Sequence, residues 1–496
     1  MTLSIGVYLS KRRIMQRDLF LAGRSMPWVP IGLSVMVTAF SAINYTAFSG
    51  EVFSHGVYVL LCLPVFALIS LPVTRVIMPF YHRIGVYSAY EYLEKRFDVR
   101  VRCLASGLFI IWRIFWMATA LYVPSTVLSK MTGLNLYGLI LLIGAVTTAY
   151  AAAGGIKAVM WSDVFQFFVL FGSIVVSLIF ATLQTPDGFV GMMRQGAAQG
   201  ILKPFYPFDP QIFSPDPSIR ITLWSCLIGS FTAFLARYGV DQMVVQRYFT
   251  ARSLKDARLG FHLNYVAAIL SLLMLALMGF AIHGHAMNAG VLGKLGTQPV
   301  SYFCAFVQSL PAGMTGVIGA GLLAASMSSL DSGINSCSTA FTTDFYNRFL
   351  NKGKTEELAR NRLLTVIFGI FITGAAMSVG RLGSIFEIAN KIINGFGSPL
   401  LAVFLLGMFS RRANSLGMFL GGILGACWSA YVSLTVVNLA LHYYAVVNLL
   451  STLFLCYFFS LLENLFFSEP SPMQLAWAWR DVMKNTLTKA LPNLLR

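Results

Sequence analysis

Long apolar segments separated by short polar connections make up most of the chain. From residue 29 onwards, runs of about 20 apolar residues recur, and each is close to the length of helix that crosses a hydrocarbon core. A shorter apolar run at residues 2–9 is followed by basic residues, which predicts a truncated or tilted leading helix. The pattern predicts twelve full spans, at 29–53, 57–79, 103–129, 135–152, 159–183, 219–246, 261–285, 312–346, 361–379, 385–409, 413–436 and 440–464.

One segment, residues 320–346, is long enough to cross a membrane but is rich in hydroxyl groups and carries Asp331 near its middle. Such a helix has to face protein or a water-filled path, because lipid would reject these side chains. Four small residues recur at i, i+3, i+4 and i+7 and so share one helical face: Ala325, Ser328, Ser329 and Ser332. Because hydroxyl oxygens can replace the water shell of a hard cation, we predict a sodium site on this face.

Composition excludes a soluble protein. The chain of 496 residues is 57% hydrophobic and 11% charged, whereas soluble domains carry about 25% charged residues. The net charge of +17 would suggest a nucleic-acid partner in a soluble protein, but most of the 36 lysines and arginines fall in connections that the span pattern places on one side of the membrane. We therefore predict a multi-pass protein of the cell membrane, with a cytoplasmic C-terminus and no nucleic-acid partner.

Two of the predicted spans are interrupted by polar residues. The first contains Ser41 and Asn44 in a cluster that is typical of a broken helix whose free backbone groups meet an ion or a solute. The sixth carries Arg237 and Asp241 at i and i+4, and either these two pair with each other or Arg237 contacts an anionic solute. Both spans are predicted to be discontinuous members of two inverted repeats, with the site between them.

Two further charged residues lie inside predicted spans. Arg113, in the third span, either extends towards the membrane interface or pairs with a substrate carboxylate. Asp163, about two turns into the fifth span, requires a cation or several hydrogen-bond donors. The seven cysteines form no C-x-x-C pair, and we interpret them as small buried hydrophobic residues rather than as metal ligands.

Four motifs occur in order along the chain: YAAAGGIKAVMWSDVFQ (150–166), DQMVVQRYFTARS (241–253), AASMSSLDSGINSCSTAFTTDFY (324–346) and GFGSPLLAVFLLGMFSRRANSLG (395–417). With these motifs the chain resembles the sodium–solute symporters, the transporters of sugars, monocarboxylates, vitamins, sialic acid and iodide, over roughly residues 18–435. The resemblance implies an all-α integral membrane fold of the LeuT type, an inverted repeat of five plus five helices with flanking helices.

The span pattern and this resemblance together imply a division of the chain. The first five-helix repeat is expected at 29–183 and the second at 219–409, joined by an external loop at 184–218. Residues 1–28 would form the truncated leading helix and a cytoplasmic basic segment. Two accessory helices would follow at 410–465, and 466–496 would form a cytoplasmic amphipathic tail.

The resemblance also implies an ion site. The family's sodium site maps onto backbone carbonyls and hydroxyls of Val37, Phe40, Ala325, Ser328 and Ser329. A further ion of some members maps onto Asp163, Asp331 and Ser332. At position 331 a carboxylate replaces a hydroxyl seen in two-sodium members, so this residue either strengthens a second sodium site or holds a proton.

Solute contacts are expected from the first, second, third and sixth spans. The candidate residues are Ala39, Ser41, Asn44, Leu63, Phe66, Arg113, Phe234 and Arg237. Sugar transporters of the family place polar groups at the positions of Leu63 and Phe66, so their apolar character here argues against a hexose. Arg113 and Arg237 favour a small carboxylate.

The resulting prediction is secondary active transport without enzymatic activity. Sodium, as the coupling ion, would be carried together with a small organic solute by alternating access, and a monomer in the lipid bilayer would suffice. The alternatives are a proton-coupled symporter, through Asp163 and Asp331, and a sensor of the same solute built on a transporter fold. A membrane enzyme would require clustered acids or histidines, and the six histidines are dispersed along the sequence.

Overall fold

The computed structural model describes residues 21–294, 299–311, 313–351, 358–381, 385–436, 439–466, 470 and 472–483. The predicted leading helix at 2–9 lies outside the described residues, as does the end of the predicted tail. Nearly all of the described chain is helical, and each of the predicted spans overlaps one of its helices.

Fifteen helices carry the labels used below. They are α1 Trp28–Ala39, α2 Asn44–His55, α3 Val57–Ile84, α4 Val99–Thr132, α5 Leu136–Gln184, α6 Gly188–Ala198, α7 Phe231–Gly239, α8 Gln242–Thr250, α9 Leu254–Asn288, α10 Pro299–Ser309, α11 Met314–Leu350, α12 Leu358–Ala376, α13 Ile385–Phe409, α14 Ser415–Thr435 and α15 Tyr443–Phe466. A π-helical turn, Ser225–Ser230, leads into α7. Short helices lie at Ala22–Arg24, Glu91–Arg96, Pro210–Phe213, Val379–Arg381, Pro472–Leu475 and Trp479–Met483.

Many of these helices are long and apolar enough to cross a membrane. Among the described residues eight helices meet this description, or nine when the bent pair α1 and α2 counts as one span. Helix α5 has 49 residues, which at 1.5 Å per residue is far longer than a bilayer is thick. It is divided at Gly155, whose φ of 60° and ψ of −177° are readily adopted only by glycine. The sequence predicts two separate spans, 135–152 and 159–183, in this stretch.

Two helices are broken in the middle of the fold. Helices α1 and α2 meet at an angle of 64° across residues 40–43. Helix α7 ends at Gly239, and α8 begins at Gln242 after a new cap from Asp241. The sequence predicts both discontinuities. In a membrane interior such breaks leave backbone groups without helical partners, so each needs nearby polar side chains.

The broken helix α1 is held between longer helices. It packs against α9 along most of its length and also contacts α5 and α11, while α11 packs extensively against α5. A Cβ at Gly32 would come within 2.6 Å of the Gly260 carbonyl, so glycine permits the close approach of α1 and α9. This arrangement places the broken end of α1 directly beside the hydroxyl-rich face of α11.

A buried ion pair connects α4 to the end of α11. The Arg102 guanidinium donates to Asp344 Oδ1 from Nε at 2.8 Å and from Nη2 at 2.7 Å. The hydroxyls of Ser88 and Ser106 donate to the other carboxylate oxygen at 3.0 and 2.8 Å. Because Asp344 is completely buried, its charge depends on these partners.

We predict that Arg102→Met destabilises the protein by about 3–5 kcal/mol, because it leaves the buried Asp344 carboxylate without its cation. Thermal unfolding of purified protein measures the effect, and adding Asp344→Asn should restore part of the loss. The matched control is Arg194→Met, whose ion pair with Asp187 is exposed and should contribute little. Equal losses in both single variants would contradict this assignment.

Candidate functional site

Hydroxyl groups of α11 meet the broken end of α1. The Ser328 hydroxyl lies 3.1 Å from the Val37 carbonyl oxygen and 3.1 Å from the Ala325 carbonyl oxygen. The Ser329 hydroxyl donates to the Thr38 carbonyl at 3.4 Å. All of these residues are buried. A set of neutral oxygen donors from a helix break and a serine face suits a hard monovalent cation.

The structure therefore brings together three of the five residues expected at the sodium site: Val37, Ala325 and Ser328. Ser329 contacts Thr38 rather than one of the expected carbonyls. Phe40 lies at the break itself, with φ −107° and ψ 88°, and its N–H still bonds to the Met36 carbonyl at 2.8 Å. Thr38 is a ligand candidate that the sequence prediction missed.

Two of the three residues predicted to hold a further ion, Asp163 and Ser332, contact an arginine. Arg247 Nη2 lies 3.1 Å from Asp163 Oδ2 and also bonds to the Ser332 hydroxyl. The Ser34 hydroxyl receives a hydrogen bond from Arg247 Nε at 2.6 Å and donates to Asp163 at 2.5 Å. Arg247 directly follows the predicted sixth span, 219–246, yet its side chain is fully buried between α1, α5 and α11.

Asp331 occupies a different position in the same region. Its Oδ2 accepts a hydrogen bond from the Tyr150 hydroxyl at 2.7 Å. Its Oδ1 and the Oδ1 of Asp163 are buried and have no hydrogen-bond partner among the described residues. Among the described residues the Arg247 guanidinium is therefore ion-paired with Asp163 and not with Asp331, and these two carboxylate oxygens remain available to a proton or a cation.

A cavity of about 140 Å³ lies beside the helix break. Most of its wall is apolar, and the rings of Phe66 and Phe234 in this wall contact each other at a tilt of 41°, with centroids 4.6 Å apart. Six of the eight predicted solute residues line it: Ala39, Asn44, Leu63, Phe66, Phe234 and Arg237. The remaining wall comes from Met36, Phe40, Ile43, Ala47, Phe48, Val59, Cys62, Trp116, Ser230, Ala233, Tyr238, Ala268, Leu272 and His442.

The remaining two predicted solute residues, Ser41 and Arg113, do not line this cavity. The Ser41 hydroxyl is buried and accepts a hydrogen bond from the Ile43 N–H at 3.2 Å, so it caps the second half of the broken helix. Arg113 is buried on α4, stacks on the Trp112 ring and is ion-paired with Asp241. Its Nε lies 3.1 Å from Asp241 Oδ1, which also caps the Met243 N–H.

The pairing of Arg113 with Asp241 leaves Arg237 in a separate role. Of the two alternatives raised for Arg237, pairing with Asp241 is not observed. Its guanidinium lies over the Trp116 ring, 5.5 Å from the centroid, at the cavity wall. Among the described residues no carboxylate lies within ion-pair distance of Arg237, so this cation is available to a solute.

Comparison with known proteins identifies the family. The model of the Sodium:solute symporter family matches residues 19–425. The chain belongs to the sodium:solute symporter family. Among its relatives, the sodium-dependent multivitamin transporter of Oryctolagus cuniculus is 31% identical, over 86% of this chain and 68% of the relative. The sodium-coupled monocarboxylate transporter 2 of Homo sapiens is 27% identical, over 86% and 70%. The sodium/iodide cotransporter of Homo sapiens is 29% identical, over 87% and 67%.

The fold of this symporter has solved counterparts. A sodium-coupled sialic acid symporter in a substrate-bound outward-open state superimposes with a TM-score of 0.83 at 26% identity, over 93% of this chain and 95% of that one. A nucleobase–cation symport transporter in a closed conformation gives a TM-score of 0.57 at 14% identity, over 92% and 97%, and supports the fold alone. The predicted LeuT-type membrane fold is thereby confirmed, and so is the prediction that the protein is a transporter and not an enzyme. Sodium is the coupling ion that this membership supports.

We predict that Ser328→Ala raises the sodium concentration needed to stabilise this symporter by about tenfold or more, because one oxygen ligand is lost. Thermal unfolding at increasing sodium concentrations measures this without any solute. Ser326→Ala is the matched control, since Ser326 is equally buried on α11 but its hydroxyl donates to the Ala120 carbonyl, away from α1. If both variants respond to sodium as the native chain does, the ion is bound elsewhere.

Proposed function

We propose that the protein carries sodium together with a small carboxylate by alternating access. The observation that carries this proposal is the position of Arg237, a cation without a carboxylate partner among the described residues, in the wall of an apolar cavity that adjoins the oxygen cluster of α1 and α11.

The oxygen cluster and the cavity share one short stretch of backbone. The Val37 carbonyl contacts Ser328, while Ala39, two residues later, lines the cavity together with Met36 and Phe40. A sodium ion bound to Val37 and Ser328 would therefore fix the backbone that forms the solute site. This supports binding of the solute to a sodium-loaded protein and gives the coupling a local physical basis.

The charge of the cavity favours an anion. Of the described residues that line it, Arg237 is the one of the Lys and Arg type, and none is Asp or Glu. A guanidinium presents a planar pair of donors that matches a carboxylate. Two relatives are named for anionic solutes, monocarboxylate and iodide, and the closely similar solved structure is named for sialic acid. These names agree with an anionic solute here.

The apolar wall of the cavity favours a solute that is largely apolar beyond its carboxylate group. Leu63, Phe66 and Phe234 surround the space next to Arg237, and hydrogen-bonding side chains such as Asn44 and Ser230 are few. A polyhydroxylated solute would leave several hydroxyls without partners, at a cost of roughly 1–3 kcal/mol each. A short carboxylate with a hydrocarbon or aromatic tail satisfies this environment better than a hexose does.

The two helix breaks support alternating access. They separate α1 from α2 and α7 from α8, which would be corresponding positions of the two expected repeats, and residues next to both breaks adjoin the cavity. Movement of one helix bundle against the other can open the cavity to either side while these breaks absorb the backbone change. From the concentration of Lys and Arg in alternate connections we also propose that the C-terminus is cytoplasmic.

We also propose that one sodium ion is carried per cycle. The guanidinium of Arg247 already provides a positive charge between Asp163 and Ser332, where a further sodium would be expected. Asp331 is left to hold a proton, which agrees with its single hydrogen bond from Tyr150. The alternative interpretation of these contacts is a symporter coupled to protons instead of sodium, which would use the same Asp331 carboxylate.

We predict that Arg237→Gln weakens binding of a small carboxylate by about ten- to hundredfold, the loss expected for a hydrogen-bonded charge pair. Thermal-shift titrations in sodium with a panel of monocarboxylates, their neutral amides and hexoses measure the preference. The native protein should favour the acid over its amide, and the variant should not. Equal responses to acid and amide in the native protein would contradict a carboxylate solute.

For the coupling ion, we predict a hyperbolic dependence of solute uptake on sodium in proteoliposomes, as expected for one bound ion. Asp331→Asn should keep this shape, because an amide replaces a protonated carboxyl. A sigmoidal dependence that becomes hyperbolic in Asp331→Asn would instead assign a second sodium to this carboxylate. Uptake that responds to a pH gradient but not to sodium would favour the proton-coupled alternative.

A further inference from the structure

Two cysteines and a histidine from distant parts of the sequence meet at one end of the cavity. The Sγ atoms of Cys62 and Cys226 lie 2.7 Å apart, and His442 Nε2 lies 3.4 Å from Cys62 Sγ. Each residue offers one ligand atom, and the three atoms lie within 4.8 Å of one another. Among the described residues no other group of three or more His, Cys, Asp or Glu side chains converges in this way.

We infer that Cys62, Cys226 and His442 form a binding site for a soft d¹⁰ cation such as Zn²⁺. The inference concerns metal binding and does not depend on which solute is carried. The absence of a C-x-x-C pair in the sequence favours an interpretation of all cysteines as small buried hydrophobic residues. For Cys62 and Cys226 the inference replaces that interpretation.

The ligand set has the chemistry of a zinc site. Two thiolates and an imidazole are ligands that suit Zn²⁺ and its heavier analogue Cd²⁺. The hard cations Na⁺ and Mg²⁺ prefer oxygen ligands and do not suit this group. Zn–S and Zn–N bonds of about 2.3 and 2.0 Å place tetrahedral ligand atoms roughly 3.5–3.8 Å apart. The His442–Cys62 distance already matches this, and the two sulfur atoms would separate by about 1 Å.

The surrounding structure holds these side chains in place. A Cβ at Gly229 would lie 2.3 Å from the His442 carbonyl oxygen, so glycine allows the histidine segment to pack tightly on the turn that carries Cys226. The N–H groups of Ala440 and Leu441 donate to the carbonyls of Pro217 and Arg220, which anchors the same segment. The ligands thus belong to three separately fixed parts of the fold.

The cavity supplies an approach and a fourth ligand position. Cys62 and His442 both form part of its wall, and so does Ser230, whose hydroxyl donates to Cys62 Sγ at 3.3 Å. Three protein ligands with an open position towards a cavity are typical of an accessible zinc site. Binding of Zn²⁺ would release the two thiol protons to solvent, so the affinity should rise with pH.

The test is a titration of purified full-length protein with Cd²⁺. The readout is the ultraviolet absorption band that arises from charge transfer between thiolate and cadmium. All measurements use a Cys427→Ser background, because Cys427 is exposed and would bind the metal on its own. We expect one Cd²⁺ per chain, displaced by Zn²⁺, with the absorption lost in Cys62→Ser and Cys226→Ser. Cys304→Ser, which removes a buried thiol away from the cluster, is the matched control.

His442→Gln keeps both thiols and should weaken Cd²⁺ binding by about tenfold or more while leaving the sodium-dependent thermal shift in place, which reports that the variant is folded. The inference is overturned if Cys226→Ser binds Cd²⁺ as the control does. It is also overturned if the two thiols react with a thiol reagent only after reduction, since the pair would then be a disulfide.

Discussion

The contact between the serine hydroxyls of α11 and the carbonyl end of α1 is the interaction on which this architecture depends. A helix that stops inside a membrane leaves carbonyl oxygens that no water can satisfy. Ser328 and Ser329 meet this need for Val37 and Thr38. The same carbonyl and hydroxyl oxygens carry no net charge and can instead surround a sodium ion. The contacts that stabilise the helix break therefore also provide the ligands of a cation site.

The buried charges divide into those that hold helices together and those that remain available. Arg113 pairs with Asp241, Arg247 with Asp163 and Arg102 with Asp344, and each pair joins different helices. Arg237 and Asp331 differ, because among the described residues neither has an oppositely charged side chain within ion-pair distance. An intramembrane charge without a partner is costly. We therefore interpret the cation as the solute contact and the carboxylate as a proton or ion site.

Local periodicity was sufficient to predict that the serines of α11 share one face, because positions i, i+3, i+4 and i+7 lie on the same side of any continuous helix. The same rule failed for Arg237 and Asp241, since the helix ends at Gly239 and Asp241 begins a new turn as a cap. The partner of Asp163 could not be predicted either, because Arg247 lies 84 residues away and carries no local sign that its helix turns inward. Likewise, Cys62, Cys226 and His442 have no spacing that would indicate a shared site.

The proposed coupling of ion and solute needs no long pathway through the protein. Between the Val37 carbonyl and the cavity wall at Ala39 lies a single residue, Thr38, which itself contacts Ser329 through its carbonyl and Ser332 through its hydroxyl at 3.0 Å. An ion bound here would restrain the same backbone that the solute touches, so the two binding free energies become linked in both directions. Each sodium moving inward through 100 mV releases about 2.3 kcal/mol. A coupling free energy of only a few kcal/mol between ion binding and solute binding, transmitted through residues 37–39, is therefore enough to make solute accumulation follow the sodium gradient.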